Sequence, residues 1–164
     1  MIVISDTTPI ISLIKAGQLQ LLETLFGKVM IPEAVYQELT DNISFSKEAD
    51  IVRCSSFIQV RKVNESGAVN VLRRVAGLDA GESEAIIMAE ETGSDILLID
   101  ERKGRRVAKQ MGFVITGTVG ILLEAYDEKL LSGMDVERCL FRMQECGIRI
   151  GSGLWERVLS HIKK

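Results

Sequence analysis

The 164-residue sequence is poor in the residues that most often carry chemistry: one histidine (His161), three cysteines (Cys54, Cys139, Cys146) and two prolines. A lone histidine close to the C-terminus leaves little room for a Ser/His/Asp triad, a Cys/His pair or a histidine-rich metal site. The cysteines are odd in number and none lies in a CxxC pair, so neither a disulfide framework nor a zinc site is indicated, and they are expected to be reduced and mostly buried. No apolar run approaches the ~18 residues of a membrane span, and the first residues show no basic n-region followed by an apolar h-region. A cytoplasmic protein is expected. There is no GxGxxG and no GxxxxGK[ST], which removes the usual phosphate cradles of dinucleotide and P-loop proteins. Asp6 has no second aspartate two residues on, as a haloacid-dehalogenase phosphatase would show, and 57–63 offers no phosphoacceptor aspartate for a receiver domain. With a net charge of −3 and a pI near 5.3, the molecule is no general polycation, although a local basic patch remains open.

What is present is a globular composition, 46% hydrophobic and 26% charged, with no repeat, low-complexity run or linker. Apolar runs suited to buried strands lie at 1–5, 29–31, 57–60, 95–99 and 113–116. Helical periodicity covers 10–25, 33–39, 46–54, 64–75, 80–92, 101–111, 119–127, 134–146 and 153–162. This alternation predicts an α/β fold with a central, mostly parallel five-stranded sheet flanked by helices on both faces. Asp79 with Glu82 three positions on forms a capping-box pattern for the helix over 80–92, and Gly93 is placed to end it. Pro32 suits the first turn of the helix over 33–39.

Two strands end abruptly in a carboxylate, Asp6 after the first and Asp100 after the fourth. If these strands are neighbours, the two aspartates meet beyond their carboxyl ends, where α/β sheets bind ligands; the alternative for each is a helix cap. Glu38, between Val35 and Leu39, can project from the edge of a buried stripe. Glu82 and Glu84 stand about 200° apart around their helix and cannot share one target. Glu82 is assigned to the capping box, which makes Glu84 the first candidate ligand and Glu82 the second. Converging carboxylates repel by ~4 kcal/mol per 4 Å pair at an effective dielectric of ~20, so a cation is implied. An all-oxygen site suits Mg²⁺ or Mn²⁺, and the chemistry that follows is hydrolysis of a phosphodiester.

Several segments together resemble the PIN-domain family, in particular its prokaryotic PIN-like proteins of uncharacterised function. They are VISDTTPIISLIKAGQLQLL, VMIPEAVYQEL, LDAGESEAIIMAEETGSDILLIDERKGRRVAKQMG, VITGTVGILLEAYDEKLL and GIRIGSGLWERVL. The resemblance implies a three-layer PIN-like fold as one domain over 1–164, with a core at 1–131 and a C-terminal helical extension at 132–164. It also implies a metal-dependent endoribonuclease site made of Asp6, Glu38, Glu84 and Asp100; Glu82 and Glu101 are the second choices as metal ligands. Relatives commonly act as toxins of toxin–antitoxin pairs and commonly form homodimers, so RNA, an antitoxin protein and a second copy are the expected partners. The alternatives are a catalytically inactive PIN-like module that binds RNA or protein, and a phosphohydrolase acting on small molecules.

Thr7 or Thr8 could hydrogen-bond a carboxylate or a phosphate. On a helix over 101–111, Gly104, Val107, Ala108 and Met111 fall on one side at core spacing. Arg102, Arg105, Arg106 and Lys109 then form an opposite stripe that begins beside Asp100 and could follow RNA phosphates. Lys15, Arg73 and Arg74 are the reserve candidates for that path.

Overall fold

The computed structural model describes residues 1–163. Its five strands are β1 (Val3–Ser5), β2 (Val29–Pro32), β3 (Ile58–Arg61), β4 (Ile96–Leu98) and β5 (Ile115–Thr116). All are parallel, in the order β3-β2-β1-β4-β5. The chain winds outward from β1 in one direction and from β4 in the other. The winding therefore reverses between these two strands, which pair in the register Val3↔Ile96, Ile4↔Leu97 and Ser5↔Leu98.

Side-chain alternation divides the core between the two faces of the sheet. Val3, Val29, Ile31 and Leu98 pack with α1 (Thr7–Lys15), α2 (Leu21–Phe26), α3 (Glu33–Asp41), α4 (Ser46–Cys54), α8 (Thr118–Asp127), α9 (Gly133–Glu145) and α10 (Ser152–Ile162). Ile4, Leu97 and Ile99 face α5 (Ser66–Ala76), α6 (Ala80–Thr92) and α7 (Arg102–Gln110). The result is a three-layer α/β fold. Val136, Cys139, Leu140 and Met143 of α9 and Val158 of α10 share a cluster with Val3 of the sheet, so residues beyond 131 pack into the main core. Lys164 lies outside the described residues.

The helix expected over 10–25 is two helices. Its apolar periodicity is real, since Leu19, Leu21 and Leu22 are all buried. Gly17, however, takes φ 72°, its N–H bonds the Ile14 carbonyl, and the Gln18 N–H bonds Leu13 O at 2.8 Å. This is a Schellman closure, which ends α1 and lets the chain turn before α2. The first helix also starts earlier than expected and includes Thr7 and Thr8. The capping box of Asp79 and Glu82 is present, and Gly93 ends α6 at φ 61°. Of the three free thiols only Cys139 is buried; Cys54 and Cys146 are exposed because both lie at helix ends. Among the described residues, no helix is long and apolar enough to cross a membrane.

Candidate functional site

Asp6 leaves β1 at the point where the winding reverses. Its N–H donates to Leu98 O at 2.9 Å, holding the residue in extended conformation as the N-cap of α1. Its side chain makes no cap bond. Only 4% of Asp6 is exposed. That burial pushes the carboxyl up to about 8, the Thr7 N–H offsets part of the shift, and the charges of Glu82, Asp79 and Glu38 raise it further.

The acidic group around Asp6 draws on three elements. Glu38 projects from α3, and its Oε2 accepts from Thr7 Oγ1 at 3.0 Å. Burial raises the Glu38 carboxyl as well. Glu82 comes from the first turn of α6, with its Oε2 accepting from the Asp79 N–H at 3.0 Å while Asp79 Oδ1 accepts from the Glu82 N–H at 2.8 Å. Glu82 is pushed up to about 7, first by burial, with the Asp79 N–H offsetting part of the shift and the charges of Asp79 and Glu101 adding to it. Gly81 opens the space between the carboxylates: a Cβ there would stand 3.1 Å from Glu38 Oε2 and 3.5 Å from Asp6 Oδ1.

Two of the expected residues are directed elsewhere. Glu84 Oε2 accepts from the Ala34 N–H at 2.8 Å and so satisfies the first turn of α3. Asp100 accepts from Thr118 twice, Oδ1 from the backbone N–H at 2.7 Å and Oδ2 from Oγ1 at 2.6 Å, which anchors the start of α8. Burial raises the Asp100 carboxyl, while the Thr118 bonds and Arg105 pull it down. Glu82, a second choice, is near enough to Asp6 for its charge to act there, and Glu101, the other, lies near Glu82. The 200° separation on α6 divides Glu82 from Glu84, and Glu82 holds the capping box as expected; its charge also acts on Asp6, while Glu84 accepts from the Ala34 N–H. Asp79 went unassigned as a neighbour of the site, although its place three residues before Glu82 carried the signal.

On α7, Gly104 and Ala108 are buried as expected, but Met111 caps the C-terminus and is 40% exposed. Arg105 turns inward instead of joining an outward stripe, because its Nη1 donates to Ile99 O at 2.8 Å. Arg102, Arg106 and Lys109 remain exposed. They line a cleft of about 520 Å³ together with Asp100 and Arg105. Thr7 is buried on Glu38, and Thr8 is exposed on α1. Arg73 and Arg74 border a separate cleft beside Gly77, and Lys15 sits in the last turn of α1.

Among the described residues, none of these carboxylates has an ion-pair partner. No three His, Cys, Asp or Glu side chains among them stand close enough to enclose an ion. What the fold provides is an open pair, Asp6 and Glu38, on either side of the gap at Gly81. A hard divalent cation that keeps several waters needs only one or two carboxylates, and this donor set fits one.

A family model, DUF3368, described as a PIN domain, matches residues 2–164. No curated protein matches the chain.

Proposed function

The chain belongs to the PIN-domain family, and from that premise we propose that it is a metal-dependent endoribonuclease whose site is the acidic group at the β1/β4 switch point. The observation that supports this reading most is the burial of Asp6 beside Glu38 and Glu82 with no cationic partner among the described residues. Folding places repelling groups together here, and such an arrangement is expected where a ligand supplies the missing positive charge.

Asp6 and Glu38 would hold Mg²⁺ or Mn²⁺, with Thr7 fixing the Glu38 carboxylate through its hydroxyl. A divalent ion bound there supplies charge neutralisation for a phosphodiester oxygen and lowers the pKa of a bound water. Glu82, whose charge acts on Asp6, and Glu101 beside it would orient the attacking water by accepting its hydrogen bonds. Arg102, Arg106 and Lys109 would bind the phosphates of the strand leading to the carboxylates. Glu84 and Asp100, each committed to a backbone N–H, would set the positions of α3 and α8. A role as the toxin of a toxin–antitoxin pair, restrained by an antitoxin protein, and pairing as a homodimer are extensions that rest on family membership.

The test is cleavage of an end-labelled single-stranded RNA in Mn²⁺ or Mg²⁺ against the same reaction in chelator. Metal-dependent cutting that is lost in Asp6→Asn and in Glu82→Gln is expected. RNA that binds and stays intact under every metal condition would favour the binding-only module, a reading that draws on the lack of any enclosed set of three ligands among the described residues.

A further inference from the structure

A second cleft, about 510 Å³, lies beyond Asp100 between α10 and the turn from β5 into α8. Asp100 and Arg105 line both this cleft and the α7 cleft. One wall is apolar, built from Val119 and Leu123 of α8 and Leu154 and Val158 of α10. The same cleft is also lined by two guanidiniums, Arg105 and Arg157.

These guanidiniums differ in exposure. Arg105 is held by its bond to Ile99 O, which leaves its remaining N–H donors to face a ligand. Arg157 is exposed on α10. Both Asp100 oxygens accept from Thr118, and the Arg105 charge favours the ionised carboxylate, so its negative charge is partly balanced within the protein. Gly117 is needed for this packing, because a Cβ there would lie 2.5 Å from Asp100 Oδ1 and 3.0 Å from Arg105 Nη1. The C-terminal helix is fastened over the cleft by Tyr126 donating to Ile162 O at 3.0 Å and by His161 paired with Asp127 at 2.7 Å.

A cleft of this size, with an apolar face and a few convergent polar groups, has the makings of a small-molecule site. Two guanidiniums select a phosphate, whose oxygens they match as a fork. The apolar wall selects something flat and poorly hydrated joined to that phosphate. We propose that this cleft seats one nucleotide of the substrate strand, its base on the Leu123 and Leu154 side and its phosphate at Arg105 and Arg157. The inference rests on the ribonuclease reading and extends it: the strand would run from the α7 cleft past Arg105 and end its contacts under the C-terminal helix.

The isotope-labelled full chain, in chelator, is titrated with uridine monophosphate, with uridine and with inorganic phosphate, and amide chemical shifts are followed. The nucleotide should give saturable shifts at Val119, Leu154, Arg157 and Val158, with either fragment at least about tenfold weaker. Arg157→Gln should weaken the nucleotide by about tenfold, and Leu154→Asp should do the same, with unchanged spectra elsewhere reporting an intact fold. Shifts confined to other faces, phosphate binding as tightly as the nucleotide, or equal affinity in Arg157→Gln and the parent would each overturn the proposal. The two readings also separate. Nucleotide binding here without RNA cleavage removes the nuclease reading and keeps the cleft, whereas cleavage without nucleotide binding here does the reverse.

Discussion

At Asp6, burial and three neighbouring carboxylates act in the same direction, and the consequence is a pH-dependent stability that can be measured. In the folded chain its carboxyl titrates near 8, against an ordinary 3.8. Between these values the unfolded chain has released a proton that the folded chain keeps, so metal-free stability falls as pH rises through that window. The slope from this one group is at most about 1.4 kcal/mol per pH unit. The thermal midpoint in chelator should therefore be higher at pH 5 than at pH 8. Asp6→Asn should flatten the dependence and raise the midpoint at pH 8, and an unaltered profile in that variant would show that the aspartate is ionised in the fold. Glu82 and Glu84 differ in kind at this scale. Glu84→Ala removes the acceptor for the Ala34 N–H and should cost about 1 kcal/mol of stability with cleavage retained. Glu82→Gln, by contrast, should lower cleavage, and the opposite outcome would return Glu84 to the metal.

Among the elements, the first turn of α6 carries the most consequence for the site. Gly81 lies inside a helix, where alanine is ordinarily the better residue by about 1 kcal/mol. A Cβ at this position would crowd Glu38 Oε2 and Asp6 Oδ1. Gly81→Ala is therefore expected to leave the apo thermal midpoint within a few degrees of the parent and to reduce the stabilisation that added Mn²⁺ produces. If Mn²⁺ raises the midpoint equally in both proteins, the gap at Gly81 is not where the ion sits. Gly17 is the contrary case. Its φ of 72° lies where a Cβ is strained, and Arg142 Nη1 stands 3.1 Å from the added atom, so Gly17→Ala should destabilise by ~1 kcal/mol or more.

For the whole molecule, the net charge of −3 conceals a separation: acidic groups at the switch point and cations on α7 beside them. Replacing Arg102, Arg106 and Lys109 together by alanine should weaken RNA binding irrespective of sequence and reduce the salt slope by about 0.7 per lost phosphate contact. Equal slopes in parent and variant would place the RNA elsewhere. Arg105→Ala belongs to a different class, because Arg105 bonds Ile99 O and its loss should lower stability as well as affinity.

Local signals in the chain were sufficient for the layers of this fold. Alternating short apolar runs and longer periodic segments can bury their apolar faces only as a sheet between helices, and a cap such as Asp79 with Glu82 depends on nothing beyond its own turn. That β1 and β4 are neighbours came from the sheet itself, but that each strand leads into a carboxylate was legible. Which carboxylates face one another was not. Glu82 and Glu84 are equally acidic and two residues apart; only the docking of α3 against α6 turns one toward Asp6 and gives the other to the Ala34 N–H. Asp100 reads as a ligand until α8 arrives with Thr118 to occupy both its oxygens. Arg105 belongs to a solvated stripe until Ile99 O claims it. In each case the partner is a backbone or hydroxyl group, six residues away for Arg105 and far in sequence for Glu84 and Asp100. Such groups carry no pattern of their own along the chain, and their positions follow only from how the layers pack.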